Sequence, residues 1–281
     1  MSATERREAA VRAAETLGRS LGIRVAAPRV LKDSNNTIVH LAPSPLVAKV
    51  GTSHFRDARL NALAHELAVG RYLSAKRAPI VRPSSEVPAG PHRIGGLTIT
   101  LWQFYEAVLT PPAPGSLGSV LMKVHEALRD YPGALPSFAV EMASAARFLT
   151  DRSKLARASD RDYEFLRDVH AELEPAVSTL AHDGQPLHGS PHSGNWLSTS
   201  SGPLLLDFET ACRGPLEWDL SSLGEEDMGA FAAVDHDALR LLRRVRSLCV
   251  AVWCWIEPDR APEVAEAAVV HLRLLRGEAL T

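Results

Sequence analysis

A carboxamide and a carboxylate flank a predicted β-hairpin in the second half of the chain, and both side chains can bind a metal ion. Asn195 is followed by a short apolar run, a Thr-Ser-Ser-Gly-Pro turn at 199–203 and a second apolar run that ends at Asp207. Because a hairpin returns the chain, these two side chains are expected to face each other. Magnesium prefers hard oxygen ligands from protein, phosphate and water. The segment therefore predicts a magnesium site formed by Asn195 and Asp207.

The residues before Asn195 have the spacing of a catalytic loop. In protein kinases a histidine is followed two residues later by a catalytic base, and five residues after that by a magnesium-binding asparagine. His188, Ser190 and Asn195 have this spacing, but a serine occupies the position of the base. A serine hydroxyl is neutral at pH 7 and accepts a proton poorly unless another group activates it. The spacing predicts a phosphoryl-transfer loop in which the residue at the position of the base, Ser190, is a poor acceptor for the proton of the substrate.

The wider motif resembles that of a known family. In the aminoglycoside phosphotransferase and choline kinase-like group, the pattern His-Gly-Asp-x-His-x-x-Asn is followed by Leu-x-Asp-x-Glu and then by Gly-Pro-x-x-x-Asp-Leu. The matching segments of this chain are HGSPHSGN at 188–195, LLDFE at 205–209 and GPLEWDL at 214–220. The resemblance implies an α+β, protein-kinase-like fold with two lobes, a small β-rich N-lobe and a larger helical C-lobe. The alternative is a helical domain that contains an incidental buried hairpin.

The resemblance implies a role for each matching residue. Asn195 and Asp207 would hold Mg²⁺, while His188 and Asp219 would brace the loop. Ser190 stands where the family has its catalytic Asp. It leaves three interpretations open: an enzyme that works without the base, a degenerate binding relative, or a chain altered to trap a complex. A general base contributes ~10²–10⁴ in rate, but phosphoryl transfer depends chiefly on positioning and electrostatics. We therefore expect a slow enzyme rather than an inactive one.

Lys49 and Glu66 are the predicted phosphate-binding lysine and its partner. Lys49 ends the apolar run 46–48, as the phosphate-pairing lysine ends its strand in kinase-like proteins. Glu66 lies on the apolar face of a helix predicted over 53–76, three residues after Leu63. A carboxylate on that face is costly unless it is paired, so Glu66 is expected to bind Lys49. The alternative is a Glu66 side chain that is partly solvated at the helix edge.

Two further segments are expected to contact the nucleotide. The polar turn at 33–37, Asp-Ser-Asn-Asn-Thr, resembles the Ser/Asn loop of the aminoglycoside group, where Ser34 and backbone amides would donate to phosphate. An ordinary hairpin turn has the same composition. The strand predicted over 97–105 leads to Glu106, where the family has its hinge and where main-chain groups would bind the purine. The residues leave ATP and GTP equally open as the nucleotide.

The pattern of predicted elements places these residues in two regions. Helices are predicted at 3–21, 53–76, 116–130, 138–150, 160–182, 235–256 and 262–276, and strands at 28–31, 37–42, 46–50 and 97–105. In the second half only the segment 196–208 has β character. We therefore predict an N-terminal nucleotide-binding lobe over 1–106 and a helical C-terminal lobe over 107–281 that carries the catalytic loop and the acceptor site.

Composition narrows the class of partner. The chain has 281 residues and a formal net charge of −2, so no excess of positive charge favours nucleic acid or an anionic membrane. The longest apolar run, 248–256, has nine residues, whereas a membrane span needs about 20. The three cysteines have no metal-binding spacing and the N-terminus has no apolar signal segment. We expect a cytoplasmic protein; its oligomeric state is left open.

An acidic segment suggests the charge of the acceptor. Residues 214–239 contain no Lys or Arg but seven acids: Glu217, Asp219, Glu225, Glu226, Asp227, Asp235 and Asp237. In the related enzymes, acids of the helical lobe gather cationic acceptors, which implies an aminoglycoside-like antibiotic or an amino alcohol here. The alternative is an exposed acidic segment without a ligand. Trp218, Trp253 and Trp255 would either stack on such an acceptor or pack in the core.

These observations predict a Mg²⁺- and nucleoside-triphosphate-dependent phosphotransferase that acts on a hydroxyl of a small molecule. The alternative is a catalytically impaired relative that binds a nucleotide or another ligand. Ser190 favours the impaired relative, whereas Lys49, Asn195 and Asp207 favour the enzyme.

Overall fold

Five short strands form one antiparallel sheet in the computed structural model, which describes residues 3–52, 62–180, 184–258 and 261–278. The strands are β1 (Arg29–Asp33), β2 (Asn36–His40), β3 (Leu46–Gly51), β4 (His92–Ile94) and β5 (Leu97–Gln103). Their order across the sheet is β1-β2-β3-β5-β4, and every neighbouring pair is antiparallel. The strand that carries Lys49, β3, is therefore central and is paired along both edges.

The alternation of side chains along β3 decides which way Lys49 points. Successive residues of a strand face opposite sides of the sheet. Ala48 is fully buried in a cluster with the small alanines of α1 (Ala3–Ser20), which let that helix approach the sheet closely. Val47 packs on the opposite face, in a cluster that includes a leucine of α2 (Ala62–Ala75). Lys49 shares the face of Val47 and is directed towards α2.

A hairpin from the second half of the sequence belongs to the same compact unit as the sheet. Its strands are β7 (Trp196–Thr199) and β8 (Gly202–Leu205), which pair from Trp196 opposite Leu205 to Thr199 opposite Gly202. Leu205 exchanges backbone hydrogen bonds with the segment 79–81, donating to Pro79 O and accepting from Val81 N. The predicted hairpin is present, and these bonds tie it to the segment that follows α2.

The described residues divide into two compact units. The first contains the described residues up to Gly133 together with Ser190–Ala211, and the second contains Ala134–Gly189 together with the described residues from Cys212 onwards. The boundary thus falls within the predicted catalytic loop. The predicted assignment of nucleotide binding to 1–106 and of acceptor binding to 107–281 concerns function, and it stays a prediction.

The second unit is mainly helical. Its helices are α4 (Val140–Leu149), α5 (Asp160–Leu180), α6 (Leu216–Leu220), α7 (Glu225–Met228), α8 (His236–Ile256) and α9 (Pro262–Leu275), while α3 (Ser116–Leu128) belongs to the first unit. Leucines, valines and Trp218 form its core. The predicted long helices agree with these bounds within a few residues, except that the predicted start of α2 lies in 53–61, outside the described residues. Among the described residues, no helix combines the length and the hydropathy that a membrane span requires.

The prediction of a single β segment in the second half is wrong. Strands β6 (Gln185–Leu187) and β9 (Cys212–Gly214) form a separate antiparallel pair. Each has only three residues, too few to show an alternating pattern, and the two are held by pairing between distant parts of the chain. This pair matters for the site because β6 leads directly into His188 and β9 leads into the segment that carries Asp219.

Candidate functional site

The ammonium group of Lys49 lies among three carboxylates. Its Nζ atom is 2.7 Å from Oε2 of Glu66, 3.0 Å from Oδ1 of Asp207 and 2.7 Å from Oε1 of Glu209. Lys49 is 6% exposed and Glu66 is 2% exposed. The central strand β3 presents the lysine, the buried face of α2 presents Glu66, and the chain leaving β8 presents the other two acids. The structure thus contains the predicted Lys49–Glu66 ion pair and adds two further partners.

Asp207 has an unusual backbone conformation. Its φ and ψ angles are 70° and 65°, in the left-handed region that non-glycine residues seldom adopt. A short 3-10 turn, Phe208–Thr210, follows it, and the fully buried Phe208 ring anchors that turn. The Asp207 side chain is one-third exposed, so its carboxylate contacts the lysine and also reaches solvent. Strained conformations of this kind are retained mainly at functional sites.

The cluster carries a net charge of −2 when all four groups are ionised, since one ammonium faces three carboxylates. Burial raises the pKa of Glu66 to about 8, and the charges of Asp207 and Glu209 act in the same direction against the attraction of Lys49. Burial lowers the pKa of Lys49, but the three carboxylates outweigh burial and hold this pKa well above its ordinary value. Lys49 therefore stays charged at neutral pH, while Glu66 readily accepts a proton.

Asn195 links the catalytic loop to Asp207. Its backbone carbonyl accepts from the amide of Leu206 at 3.0 Å, which places it beside the residue before Asp207. Its side-chain Nδ2 donates to the carbonyl oxygen of Ser190 at 2.9 Å, and the residue is buried. With Nδ2 engaged in this bond, Oδ1 is the atom that a metal ion would use. The loop and the hairpin thus bring the predicted metal ligands Asn195 and Asp207 onto neighbouring chain segments.

In the second unit, Asp219 holds the start of the loop. This residue is fully buried, and its two carboxylate oxygens accept from the backbone amides of His188 at 2.8 Å and Gly189 at 2.7 Å. Two charge-assisted hydrogen bonds to one carboxylate make a rigid connection. The resemblance implies that His188 and Asp219 brace the loop, and the structure has a direct contact between them, through the backbone amide of His188. The His188 side chain is also buried.

Ser34 and Glu106 lie outside the ion cluster. Ser34 is in the turn between β1 and β2, where its amide donates to Asn36 O at 3.1 Å. Glu106 is exposed and follows the end of β5. Two backbone amides near it are already bonded within the protein: Phe104 N donates to Pro45 O, and Val108 N donates to Ser198 O. Their predicted contacts with the nucleotide remain predictions.

Two residues of the cluster were missed from the sequence. Glu209 stands in the LLDFE motif, so the signal was present, but only Asp207 was given a role there. The carboxylate oxygens of Glu66, Asp207 and Glu209 lie within 4.8 Å of one another, close enough to share a cation. Asn36 also joins the cluster, because its Nδ2 donates to Oε1 of Glu209 at 2.5 Å. A single asparagine in a polar turn gave no signal of that contact.

Most of the acidic segment has structural partners. Glu217 accepts from the backbone amide of Asp235 at 2.9 Å, and Asp235 itself caps α8 by accepting from the first amides of that helix. Asp219 holds the loop as described above. Glu225 and Glu226 are exposed at the start of α7. Three of the seven acids of this segment thus bind backbone amides, a role that the sequence does not distinguish from that of a free charge. The predicted cationic acceptor stays a prediction.

A cavity of about 670 Å³ opens beside Glu217. Its lining residues are Glu217, Met228, Phe231, Ala232, Ala233, Val234, Asp235 and His236. Trp218 is only 2% exposed and packs against Phe138, while Trp253 and Trp255 pack against the core of the second unit. Of the two alternatives for the tryptophans, the structure supports core packing.

A five-stranded sheet with a central lysine, a glutamate on the adjoining helix and an aspartate after a hairpin define the protein-kinase-like class of phosphotransferases. A model of the phosphotransferase enzyme family, APH, matches residues 26–248. The chain belongs to this family, and both the resemblance seen in the motifs and the predicted α+β fold class are confirmed. A search of curated proteins gave no significant match.

Solved structures share the fold at low sequence identity. A choline/ethanolamine kinase family protein from Mesorhizobium loti has a TM-score of 0.65 and 16% identity, with 98% of this chain and 94% of that chain covered. An amicoumacin kinase in complex with AMP-PNP, Ca²⁺ and Ami has a TM-score of 0.67 and 12% identity, with 95% of each chain covered. A spectinomycin phosphotransferase in complex with ADP and spectinomycin has a TM-score of 0.60 and 14% identity, with 94% and 92% covered.

Proposed function

We propose that this protein is a Mg²⁺- and nucleoside-triphosphate-dependent phosphotransferase that phosphorylates a hydroxyl group of a small molecule. The observation that carries the proposal is the buried Lys49–Glu66 pair with the strained, partly exposed Asp207 carboxylate beside it. An ion pair that serves only stability needs neither two further carboxylates nor a residue in the left-handed conformation. Phosphoryl transfer needs a fixed cation and acidic metal ligands in one place.

The nucleotide would be held by the first unit. Lys49, kept charged by its neighbours and kept in place by Glu66, is suited to bind nucleotide phosphates. The turn that contains Ser34 would donate to phosphate, and the segment around Glu106 would bind the purine through its main chain. The amicoumacin kinase structure is a complex with AMP-PNP, and the spectinomycin phosphotransferase structure is a complex with ADP. Both ATP and GTP remain candidates for this chain.

The oxygen atoms near Lys49 fit a magnesium ion. Asn195 Oδ1 and the Asp207 carboxylate would hold it, and the Glu209 carboxylate lies beside that of Asp207. These are hard oxygen ligands, and the negative charge of the Asp207 and Glu209 carboxylates complements a dication. Magnesium would neutralise charge that develops on the transferring phosphoryl group. The chain's own contribution is to fix the ligands, through the hairpin, the loop and the left-handed turn.

Ser190 sets the expected rate. Its backbone oxygen accepts a hydrogen bond from the side-chain Nδ2 of Asn195, so the residue is held beside the proposed metal ligand. Its hydroxyl can orient an acceptor hydroxyl by hydrogen bonding but is a poor proton acceptor. Electrostatic stabilisation by Lys49 and the metal would then carry most of the rate enhancement. The proposed enzyme is therefore slower than one with a carboxylate at this position.

The acceptor would be a small molecule with a positive charge, bound by the second unit. The cavity beside Glu217 combines one buried carboxylate with apolar side chains such as Met228, Phe231 and Val234. Such a lining suits an amine with an apolar body better than an anion. Two of the solved neighbours are an amicoumacin kinase and a spectinomycin phosphotransferase. An aminoglycoside-like antibiotic and an amino alcohol are the two candidate classes.

A second candidate function is nucleotide or ligand binding without turnover. The observation that favours it is Ser190, since the loop is otherwise complete but lacks its carboxylate. Binding without catalysis would still use Lys49 and Asp207. The two functions therefore differ in turnover and agree in metal-dependent nucleotide affinity.

The deciding experiment measures thermal stabilisation by ATP or GTP with and without Mg²⁺, and then turnover across a panel of hydroxylated amines. Asp207→Asn keeps the size of the side chain and tolerates the left-handed backbone, but it should abolish the metal-dependent part of the stabilisation. Asp130→Ala, an exposed acid of the same unit, is the control and should retain it. Equal stabilisation of both variants by Mg²⁺-nucleotide would exclude the proposed metal site.

A further inference from the structure

The backbone of Gly189, directly before Ser190, is held on both sides. Its amide donates to Oδ1 of Asp219 at 2.7 Å, and its carbonyl accepts from Nη2 of Arg246 at 3.2 Å. Its φ angle is 92°, a conformation open to glycine and strained for other residues. The backbone amide, the backbone carbonyl and the φ angle of Gly189 are thus all constrained. Nothing in the sequence linked Arg246 to the loop.

Arg246, from the middle of α8, is itself immobilised. Nη2 also donates to Trp218 O at 2.5 Å, and Nε donates to Ser221 Oγ at 2.6 Å. The guanidinium lies over the Trp218 ring, 4.0 Å from its centroid. Trp218 lies next to Asp219 in α6, and Ser221 is the C-cap of that helix. The segment that supplies Asp219 to the amide of Gly189 therefore also holds the arginine that binds its carbonyl. A flat, forked group can make these contacts at once, whereas a lysine ammonium cannot.

The charge of Arg246 is retained in this setting. Burial lowers the pKa of Arg246, and the Asp219 carboxylate opposes that effect. An arginine stays protonated in proteins in any case. Gly189 is therefore held by a guanidinium cation on the carbonyl side and by the Asp219 carboxylate on the amide side.

We propose that Arg246 is a positioning residue, which acts with Asp219 as a clamp on Gly189 and so sets the position of Ser190. The inference rests on the proposed function, in which residue 190 orients the acceptor hydroxyl. Without a carboxylate at that residue, the reaction depends on placement to an unusual degree. A displacement of about 1 Å at a reacting group can cost ~10²-fold in rate. A clamp on the preceding peptide is therefore expected to act on kcat and to leave nucleotide binding alone.

The test uses Arg246→Lys and Arg246→Met with a matched control, Arg152→Lys. Arg152 lies in the same unit and also donates to two backbone carbonyls, of Leu155 and Ala158, at 2.6 Å, with its guanidinium over an aromatic ring. Its described hydrogen bonds, to Leu155, Ala158 and Asp160, do not reach the loop. Arg246→Lys should lower kcat at least ~10-fold and Arg246→Met ~10²-fold, with unchanged Mg²⁺-nucleotide affinity. Arg152→Lys should lose stability without that loss of kcat.

A second readout does not require turnover. Amide hydrogen exchange of His188 and Gly189 should be faster in Arg246→Lys than in the wild type, and unchanged in Arg152→Lys. If exchange of these two amides is unaltered in Arg246→Lys, the clamp is refuted. If exchange increases but the wild type turns over no acceptor at all, the clamp stands and the proposed function fails.

A double variant links the clamp to residue 190. Ser190→Asp is expected to raise kcat in the wild-type background. In the Arg246→Lys background the fold-gain in kcat from Ser190→Asp should be at least ~10 times smaller, because the new carboxylate is no longer held in place. An equal gain in both backgrounds would show that Arg246 only stabilises the fold, and would overturn the proposal.

Discussion

Removal of the Lys49 ammonium tests the charge balance of the site most directly. The change Lys49→Met keeps the length and apolar stem of the side chain and deletes one positive charge. Three carboxylates then lie together without a cation, and Glu66 is almost completely buried. Removing one partner of a buried ion pair costs about 3–5 kcal/mol. We expect the low end of this range at pH 7, because a Glu66 carboxyl with a pKa of about 8 is already largely protonated there.

The pH dependence follows from the pKa of Glu66, which burial raises to about 8 in the wild type. Loss of the attraction to Lys49 raises this pKa further. At a pH between the Glu66 pKa of the wild type and the higher Glu66 pKa of the variant, Glu66 is protonated in the folded variant and ionised in the folded wild type. In both unfolded chains Glu66 is ionised at this pH. Each pH unit in that interval therefore adds about 1.4 kcal/mol to the loss of stability. From pH 7 to pH 9 the destabilisation by Lys49→Met should grow by about this amount.

Urea denaturation at pH 7 and pH 9 measures this difference. The control is Lys123→Met, which removes an exposed lysine in the same unit and should change the free energy of unfolding by less than about 0.5 kcal/mol at either pH. A loss below 1 kcal/mol for Lys49→Met at both pH values, or a loss that shrinks as the pH rises, would refute the account of the cluster.

Three further predictions concern single side chains. Ser190→Asp should raise turnover on the order of 10²-fold, about 3 kcal/mol of activation free energy, with little change in nucleotide affinity; steady-state kinetics showing no gain would mean that proton acceptance takes another route. Glu66→Gln should remove the part of the pH dependence of stability that comes from this carboxyl. The wild-type carboxyl has a pKa of about 8 in the folded state and 4.5 in the unfolded state. Its contribution to stability is therefore complete below pH 4.5 and is lost as the pH rises through about 8. The gap in unfolding free energy between the two proteins should therefore shift in favour of Glu66→Gln as the pH rises from 5 to 8.5, and parallel denaturation profiles would contradict this. Glu217→Gln keeps an oxygen for the Asp235 amide but loses its charge, so affinity for a cationic acceptor should fall about 10-fold, whereas Glu225→Gln should have a small effect that vanishes in high salt; calorimetric titration compares them.

The parts of the site that depend on local patterns were open to prediction from the sequence. Lys49 ends the apolar run of β3, and Glu66 lies on the apolar face of α2, so residue order and helical period alone predicted that these two side chains pair. The turn after Asn195 and the acid at Asp207 likewise follow from one short hairpin. Each of these inferences needs only residues that are close in sequence, or motifs whose order is preserved.

Tertiary structure decided the remaining contacts, because they join residues far apart in sequence. Asp207 reaches Lys49 across 158 residues, and Arg246 reaches Gly189 across 57. No local period records such distances, and an arginine in an amphipathic helix looks the same whether it faces solvent or a loop. The acids at 217, 219 and 235 show the same limit: their types predicted a charged surface, while the folded chain uses them to cap and brace its backbone. A side chain's type sets what it can bind, and the burial and amide groups that folding places around it decide what it does bind.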